Sequence, residues 1–242
     1  DRERFQKLIQ KVGLKQPKSD ISLGTKELVT KSSKLKFPIL LRPSYVLGGR
    51  MMEKMANLDD VQDYIDQNYW ALENNVILID EFLQNAKEVD VDVLRDNQGN
   101  TMIAGIMEHI EEAGIHSGDS ACSIPPFSLN DKIISDIKKF SISLVNELKI
   151  LGLMNIQYAI KDDEIFILEA NPRASRTIPF LAKAIGIPFI KIAAELIVGK
   201  TLTEEYQNFD NNTLPYFAIK EAVFPFNKFP NTDVILGPEM KS

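Results

Sequence analysis

The sequence predicts an α+β protein in two lobes, and three observations carry that expectation. Apolar runs of strand length are interspersed with segments of helical periodicity, two strand pairs meet across short polar turns as hairpins, and no internal repeat or Pro/Gly/Ser-rich linker divides the chain. With 242 residues, 44% of them hydrophobic and 26% charged, the chain can bury a sizeable core as one domain in two lobes.

The elements follow in order. Phe5, Leu8, Ile9 and Val12 recur at helical spacing and Gly13 supplies a stop. Residues 25–35 can form a second helix, and Phe37 to Leu41 reads as a buried strand that delivers Arg42 and Pro43 into a loop. The pattern from Leu58 to Tyr69 is helical, and Val76 to Leu83 is another apolar strand. Val89, Val91 and Val93 alternate with Asp90 and Asp92, the period-two signature of a strand with one wet face. The Asp96 to Asn100 cluster turns the chain into a returning strand, Thr101 to Met107. Ser128 with Asp131 forms a loose capping box, followed by an amphipathic helix marked by Ile133, Ile134, Ile137, Leu144, Val145 and Leu148. A second hairpin joins Met154–Ile160 to Ile165–Ala170 around Lys161-Asp-Asp-Glu164, and helices over Ile178–Ile185 and Pro188–Val198 close the recognisable core.

Charge and cysteine content narrow the function classes. The 28 Lys and Arg against 34 Asp and Glu give a formal charge of −6 with no block of like charges, which argues against nonspecific nucleic-acid binding. The single Cys122 cannot staple the fold, and no signal peptide or run of about 18 apolar residues is present. The expectation is a reduced, soluble, cytoplasmic protein without a membrane partner. The chain opens at Asp1 and stops at Ser242 after a Leu-Gly-Pro turn signal, so it reads as a piece of something larger.

The chemistry concentrates in the second hairpin. If its turn holds three residues, Asp162 to Glu164, then Gln157 lies opposite Glu169 and Asn155 opposite Asn171, with both pairs on one face. A two-residue turn would scatter them over both faces. A carboxylate with two carboxamides is an all-oxygen set suited to Mg²⁺ on phosphates; the alternative is a solvent-facing Glu169 and a Gln157 that satisfies backbone. Arg173 and Arg176, three apart and directly after Glu169-Ala-Asn-Pro, tip the balance toward phosphate chemistry, because guanidinium keeps its charge and offers fixed donors. The Gly48-Gly49 pair after the Phe37 strand can fold over phosphates but has neither Walker nor dinucleotide spacing.

Five strings then combine: Arg42-Pro-Ser-Tyr-Val-Leu-Gly-Gly-Arg50, Glu88-Val-Asp-Val-Asp92, Gly105-Ile-Met-Glu-His-Ile-Glu-Glu-Ala-Gly-Ile-His-Ser-Gly-Asp-Ser120, Met154-Asn-Ile-Gln157 and Glu169-Ala-Asn-Pro-Arg173. In this order, and over nearly the whole chain, the sequence resembles the large subunit of carbamoyl phosphate synthetase. That family carries two homologous ATP-grasp halves. Leu47 before the glycine pair, the Glu-His-Ile-Glu-Glu-Ala-Gly segment and the tail Phe224-Pro-Phe-Asn-Lys-Phe-Pro230 look like its second, carbamate-phosphorylating half.

The resemblance implies an ATP-grasp fold of two α/β lobes with nucleotide held between antiparallel sheets. Residues 1–83 would form the first lobe with its glycine-rich lid, 84–205 the second lobe with the metal and phosphate site, and 206–242 a connector. Arg2 and Arg42 would contact nucleotide phosphates, Glu81 and Leu83 would offer backbone groups to adenine, and Glu88 would accept the ribose hydroxyls. Gly114, Ile115, His116 and Ser117 would line the pocket of ATP or ADP. Gln157, Glu169 and Asn171 would hold Mg²⁺ or Mn²⁺, and Arg173 and Arg176, with Asn171, would face the γ-phosphate and carbamate. His116 is expected to position rather than transfer protons, His109 to be structural, and Cys122 to be a small buried residue. Implied partners are the remainder of the large subunit and a glutaminase small subunit, in a reaction feeding pyrimidine and arginine synthesis. The competing readings are the bicarbonate-phosphorylating half and a noncatalytic nucleotide-binding module.

Overall fold

The computed structural model describes residues 2–44, 51–209, 214–228 and 233–242. The glycine-rich segment 45–50, the side chain of Arg2, and Phe229 and Pro230 lie outside the described residues. In chain order the elements are α1 (Arg2–Lys11), β1 (Ser19–Leu23), α2 (Leu28–Ser32), β2 (Ile39–Pro43), β3 (Glu53–Met55), α3 (Leu58–Leu72), β4 (Val76–Glu81), β5 (Lys87–Arg95) and β6 (Thr101–Glu112). They continue with β7 (Cys122–Ile124), α4 (Asp131–Glu147), β8 (Gly152–Lys161), β9 (Glu164–Asn171), α5 (Thr177–Ile185), α6 (Phe189–Ile197), α7 (Glu204–Gln207) and β10 (Ala218–Lys220).

Two antiparallel sheets with helices packed on them give the expected α+β architecture. The chain forms two compact units that interleave in sequence: 1–16, 86–111 and 121–221 make one, and 17–85, 112–120 and 222–242 the other. In this division α1 is grouped with 86–111 and 121–221, and the tail 222–242 with 17–85 and 112–120.

The smaller sheet has the order β1-β4-β2-β3. Alternation along β2 and β4 sends Ile39, Leu41, Ile77 and Ile79 into a core with Leu28 of α2 and Val61, Tyr64 and Leu72 of α3, all buried. Helix α3 starts where Asn57, in extended backbone, accepts a hydrogen bond from the Asp60 amide at 3.0 Å, satisfying one of the unpaired donors of the first turn.

The larger sheet has the order β10-β7-β6-β5-β8-β9. One face is apolar: Val89, Val91, Val93, Met154, Ile156, Tyr158, Ile165 and Ile167 pack against Ile9 of α1 and Ile133, Ile137, Leu144 and Val145 of α4. On the opposite face Leu94 and Leu153 lie under Ile178 and Leu181 of α5 and Phe189 and Leu196 of α6. The same face then turns polar along β5 and β8. Helix α4 is capped by Asn130, whose side chain accepts from the Ile133 amide at 2.9 Å, and not by the Ser128 box. Ser128 instead bonds the buried Glu108 carboxylate and receives Lys87 Nζ at 2.6 Å. Cys122 is buried as expected, and burial pushes its thiol up to about 12.

Candidate functional site

The β8–β9 hairpin reaches the expected pairs by an unexpected route. Lys161 faces Glu164, so the turn holds only Asp162 and Asp163, both in left-handed backbone with φ of 51° and 60°. Asp tolerates that region, and a two-residue turn of this hand matches the twist of the strands. The three-residue turn of the sequence reading is therefore incorrect. From the turn, Ile160 faces Ile165 and Tyr158 faces Ile167, a register that carried onward would put Glu169 on the apolar face. A bulge at Leu168 intervenes, two residues opposing one, and beyond it Gln157 faces Glu169, Ile156 faces Ala170 and Asn155 faces Asn171. Ala170 packs into the same core as Ile165 and Ile167, while Glu169 and Asn171 share the opposite face with Gln157. Next to the bulge the edge of β9 is occupied: the Ile167 amide donates to the Lys15 carbonyl at 2.9 Å.

Glu169 is exposed, with Gln157 and Asn171 half-buried. Among the described residues no three His, Cys, Asp or Glu side chains converge to hold a metal ion. The available set is one exposed carboxylate and two carboxamides, all oxygen donors, whose chemistry fits a hard cation that takes its remaining oxygens from phosphate and water. Arg173 and Arg176 follow as exposed side chains; Arg173 Nη1 donates to the Ala174 carbonyl at 3.2 Å, and Arg176 sits at the N-terminal boundary of α5.

Behind this exposed edge lies a buried polar layer that sequence reading treated as a wet face. Asp90 and Asp92 are 2% and 0% exposed, so that expectation is incorrect. Asp90 Oδ2 meets His109 Nε2 at 2.8 Å and its Oδ1 accepts from Asn155 Nδ2 at 3.3 Å, with Gln157 a further donor. Burial works against ionisation of Asp90, yet the hydrogen bond and charge of His109 hold it below the usual carboxylate range. Burial likewise disfavours charged His109, but Asp90 and then Glu88 outweigh it and raise the imidazole's pKa. Asp92, buried beside the like charge of Asp90, is pushed up to about 6 against its bonds from Thr177, Ser175 and Asn155. Glu88, the implied ribose group, is 5% exposed with Oε1 4.0 Å from His109 Nδ1. Of these partners only Ser175 and Thr177 are not singled out by the sequence, which names Glu88, His109, Asn155 and Gln157 without placing them around Asp90 and Asp92.

Arg2 begins α1 in the same unit, its side chain outside the described residues, and the other predicted residues belong to the second unit and are described there by themselves. Arg42 on β2 pairs with Asp80 of β4 at 2.5 Å. The Glu81 amide donates to the Lys18 carbonyl at 2.8 Å and its carboxylate accepts from the Lys36 amide at 2.9 Å; Leu83 follows in the loop after β4. Segment 112–120 is a knot of turns. The His116 amide donates to the Gly237 carbonyl at 2.9 Å, its own carbonyl accepts from Asp119 at 2.8 Å and Ser120 at 3.1 Å, and its Nδ1 accepts from the Gly118 amide at 3.0 Å. One ring nitrogen of His116 is thus engaged as a turn acceptor. Ile115 and Ser117 are half-buried on either side. Gly114 has φ of +104°, and a Cβ there would lie 2.5 Å from the Phe82 ring, over which Lys54 Nζ sits 5.2 Å from the centroid. Gly114→Ala is expected to cost about 1–3 kcal/mol by combining backbone strain with displacement of Phe82. Thermal unfolding checks this against Gly13→Ala, where φ is +74° but nothing lies within 4 Å; equal losses would mean the ring plays no part.

The fold defines the class first. Solved structures that share it include a biotin carboxylase β,γ-ATP complex from Campylobacter jejuni, with TM-score 0.71 and 16% identity over 86% of this chain and 48% of that one. A second is the biotin carboxylase domain dimer of Hydrogenobacter thermophilus 2-oxoglutarate carboxylase with MgADP, ADP and bicarbonate, with TM-score 0.71 and 16% identity over 90% and 49%. The chain has the ATP-grasp fold. The model of the carbamoyl-phosphate synthase L chain ATP-binding domain matches residues 1–205, and the chain belongs to that family. Relatives named carbamoyl phosphate synthase large chain are 48% identical over 100% of this chain in both Xanthomonas axonopodis pv. citri and Nostoc sp.. The chain spans 23% and 22% of their lengths, respectively.

Proposed function

We propose that this chain is the ATP-grasp domain that phosphorylates carbamate within a carbamoyl phosphate synthetase large subunit: carbamate + ATP → carbamoyl phosphate + ADP. The observation that carries the reading is the bulged β8–β9 register, which sets Gln157, Glu169 and Asn171 on one face directly before Arg173 and Arg176. The string features of the second half, Leu47-Gly-Gly and Glu-His-Ile-Glu-Glu-Ala-Gly, support carbamate over bicarbonate as acceptor.

A carbamate oxygen attacks the γ-phosphorus, the bond from that phosphorus to the β,γ-bridging oxygen breaks, and ADP leaves. The anionic nucleophile needs no strong base, so the protein's work is positioning and charge stabilisation. Arg173 and Arg176 offset the negative charge of the γ-phosphoryl group and carbamate, and guanidinium geometry lets each take two oxygens. Gln157, Glu169 and Asn171 would hold Mg²⁺ or Mn²⁺, which when bound neutralises phosphate charge. Glu88 would take the ribose hydroxyls, Arg42 the phosphates, Glu81 and Leu83 the adenine edge, and Gly114, Ile115, His116 and Ser117 the pocket wall. Residues 1–83 and 84–205 are the two lobes in this reading, and 206–242 leads toward a following domain. The working assembly adds the rest of the large subunit and a glutaminase small subunit in the cytoplasm. No helix among the described residues is long and apolar enough to cross a membrane.

The intact large subunit should form ATP from MgADP and carbamoyl phosphate, and Arg173→Ala or Arg176→Ala should slow this by about 10²–10³-fold. Bicarbonate-dependent ATPase activity that depends on Glu169, with no ATP formed from carbamoyl phosphate, would assign the domain to the other half-reaction.

A further inference from the structure

The segment that carries both arginines is tied to the middle of the sheet by a buried carboxylate. Asp92 Oδ2 accepts from Thr177 Oγ1 at 2.6 Å and from Ser175 Oγ at 2.9 Å, and its Oδ1 accepts from Asn155 Nδ2 at 3.1 Å. Ser175 and Thr177 flank Arg176, and Asn155 lies opposite Asn171. One oxygen of Asp92 therefore holds both neighbours of an exposed arginine, and the other holds the residue across from a proposed metal ligand. Leu94 and Leu153 show that the same sheet face is apolar further along. A carboxylate with no exposure, facing two hydroxyls, a carboxamide and the like charge of Asp90, is costly to keep where packing alone would accept an apolar side chain.

We propose that Asp92 is a positioning residue for phosphoryl transfer, fixing the 171–177 loop through Ser175 and Thr177 so that Arg176 is presented to the reacting phosphoryl group. The inference rests on the function proposed above. It follows from the sensitivity of such reactions to placement: displacement of a stabilising group by about 1 Å can cost on the order of 10²-fold in rate, even when the altered residue never touches substrate. Thr177 is also the first residue of α5, so the tether sets where that helix begins.

The test uses the intact large subunit, with ATP synthesis from MgADP and carbamoyl phosphate as readout and hydrogen exchange over 173–177 as a second. Ser175→Ala combined with Thr177→Val should lower kcat by about 10–100-fold, the range typical of losing an outer-shell partner, while KM for MgADP stays within about 3-fold. Asp92→Ala should do the same, and the triple variant should be no slower than Asp92→Ala because all three changes break one tether. Asp92→Asn keeps an oxygen for the two hydroxyls but turns an amide nitrogen toward Asn155 Nδ2, so it should recover part of the rate lost in Asp92→Ala. If Asp92→Ala does not fold, the hydroxyl pair decides alone. An unchanged kcat in the pair, a rise in KM alone, additive losses in the triple variant, or Asp92→Asn as slow as Asp92→Ala would each overturn the proposal. Exchange over 173–177 should quicken in the pair whatever the reaction proves to be. If the wild-type subunit makes no ATP, the function assignment fails while this exchange still decides the tether; unchanged exchange overturns it.

Discussion

Glu169→Gln in the intact large subunit is expected to lower the rate of ATP formation from MgADP and carbamoyl phosphate by about 10²–10³-fold, the scale at which loss of one preorganised electrostatic contact acts. The substitution keeps the size of the side chain and one oxygen but removes the only formal charge in the proposed donor set of Gln157, Glu169 and Asn171. A hard cation draws much of its binding energy from ionised carboxylate, so affinity for the Mg²⁺ nucleotide should fall with the rate. Because Glu169 is exposed on an edge strand, folding stability should change by less than about 0.5 kcal/mol, which separates a chemical loss from a structural one. Glu164→Gln supplies the control: it is exposed on the same strand, where its carboxylate meets Lys15 Nζ at 2.5 Å, and its loss should leave the rate unchanged. A Glu169→Gln enzyme running at the wild-type rate would remove β9 from the reaction.

Much of the framework was legible because it rests on periodicity. The hairpin of β5 and β6, the long amphipathic α4 and the closing helices α5 and α6 all announce themselves through apolar spacing. The very short β3, β7 and β10 do not, since three residues carry no measurable period, and five-residue β1 also passed unread. The cross-strand pairs Gln157–Glu169 and Asn155–Asn171 were predicted, but from a turn length that does not occur. Leu168 hides the bulge, because an extra apolar residue after Ile165-Phe-Ile continues the run without breaking any pattern. The burial of the polar face of β5 is hidden in the sequence for a different reason. Alternating Val and Asp look identical in sequence whether the acids meet water or a roof of donors, and the donors here stand 19 to 85 residues away. Burial of those acids is a tertiary fact, and it supplies the largest stability effect expected in the molecule.

That effect is the response to Asp90→Ala, which should destabilise the larger unit by about 3–5 kcal/mol, the cost of leaving one partner of a buried ion pair uncompensated. His109, 4% exposed, would lose its 2.8 Å partner, and Asn155 and Gln157 would each lose an acceptor. The loss should depend on pH in a definite direction. The folded pKa of His109 is raised above its ordinary 6.5, so the stability contributed by its protonation is complete below 6.5 and is lost as pH rises through the folded value. The folded pKa of Asp90 is lowered below its ordinary 3.8, so its contribution is present above 3.8 and is lost as pH falls through the folded value. The gap between wild type and variant should therefore be widest between about pH 4 and 6.5 and narrow on either side. Asp92 adds a second signature. Its stabilising protonation is complete below 3.8 and disappears as pH rises through about 6 in the wild type. Removing the like charge of Asp90 lowers that value, so the variant should lose this part of its stability at a lower pH. Urea unfolding of both proteins at pH 5 and pH 8 checks the prediction. A gap that stays constant with pH, or that amounts to less than about 1 kcal/mol at pH 5, would mean that Asp90 and His109 do not form an ion pair in the folded protein.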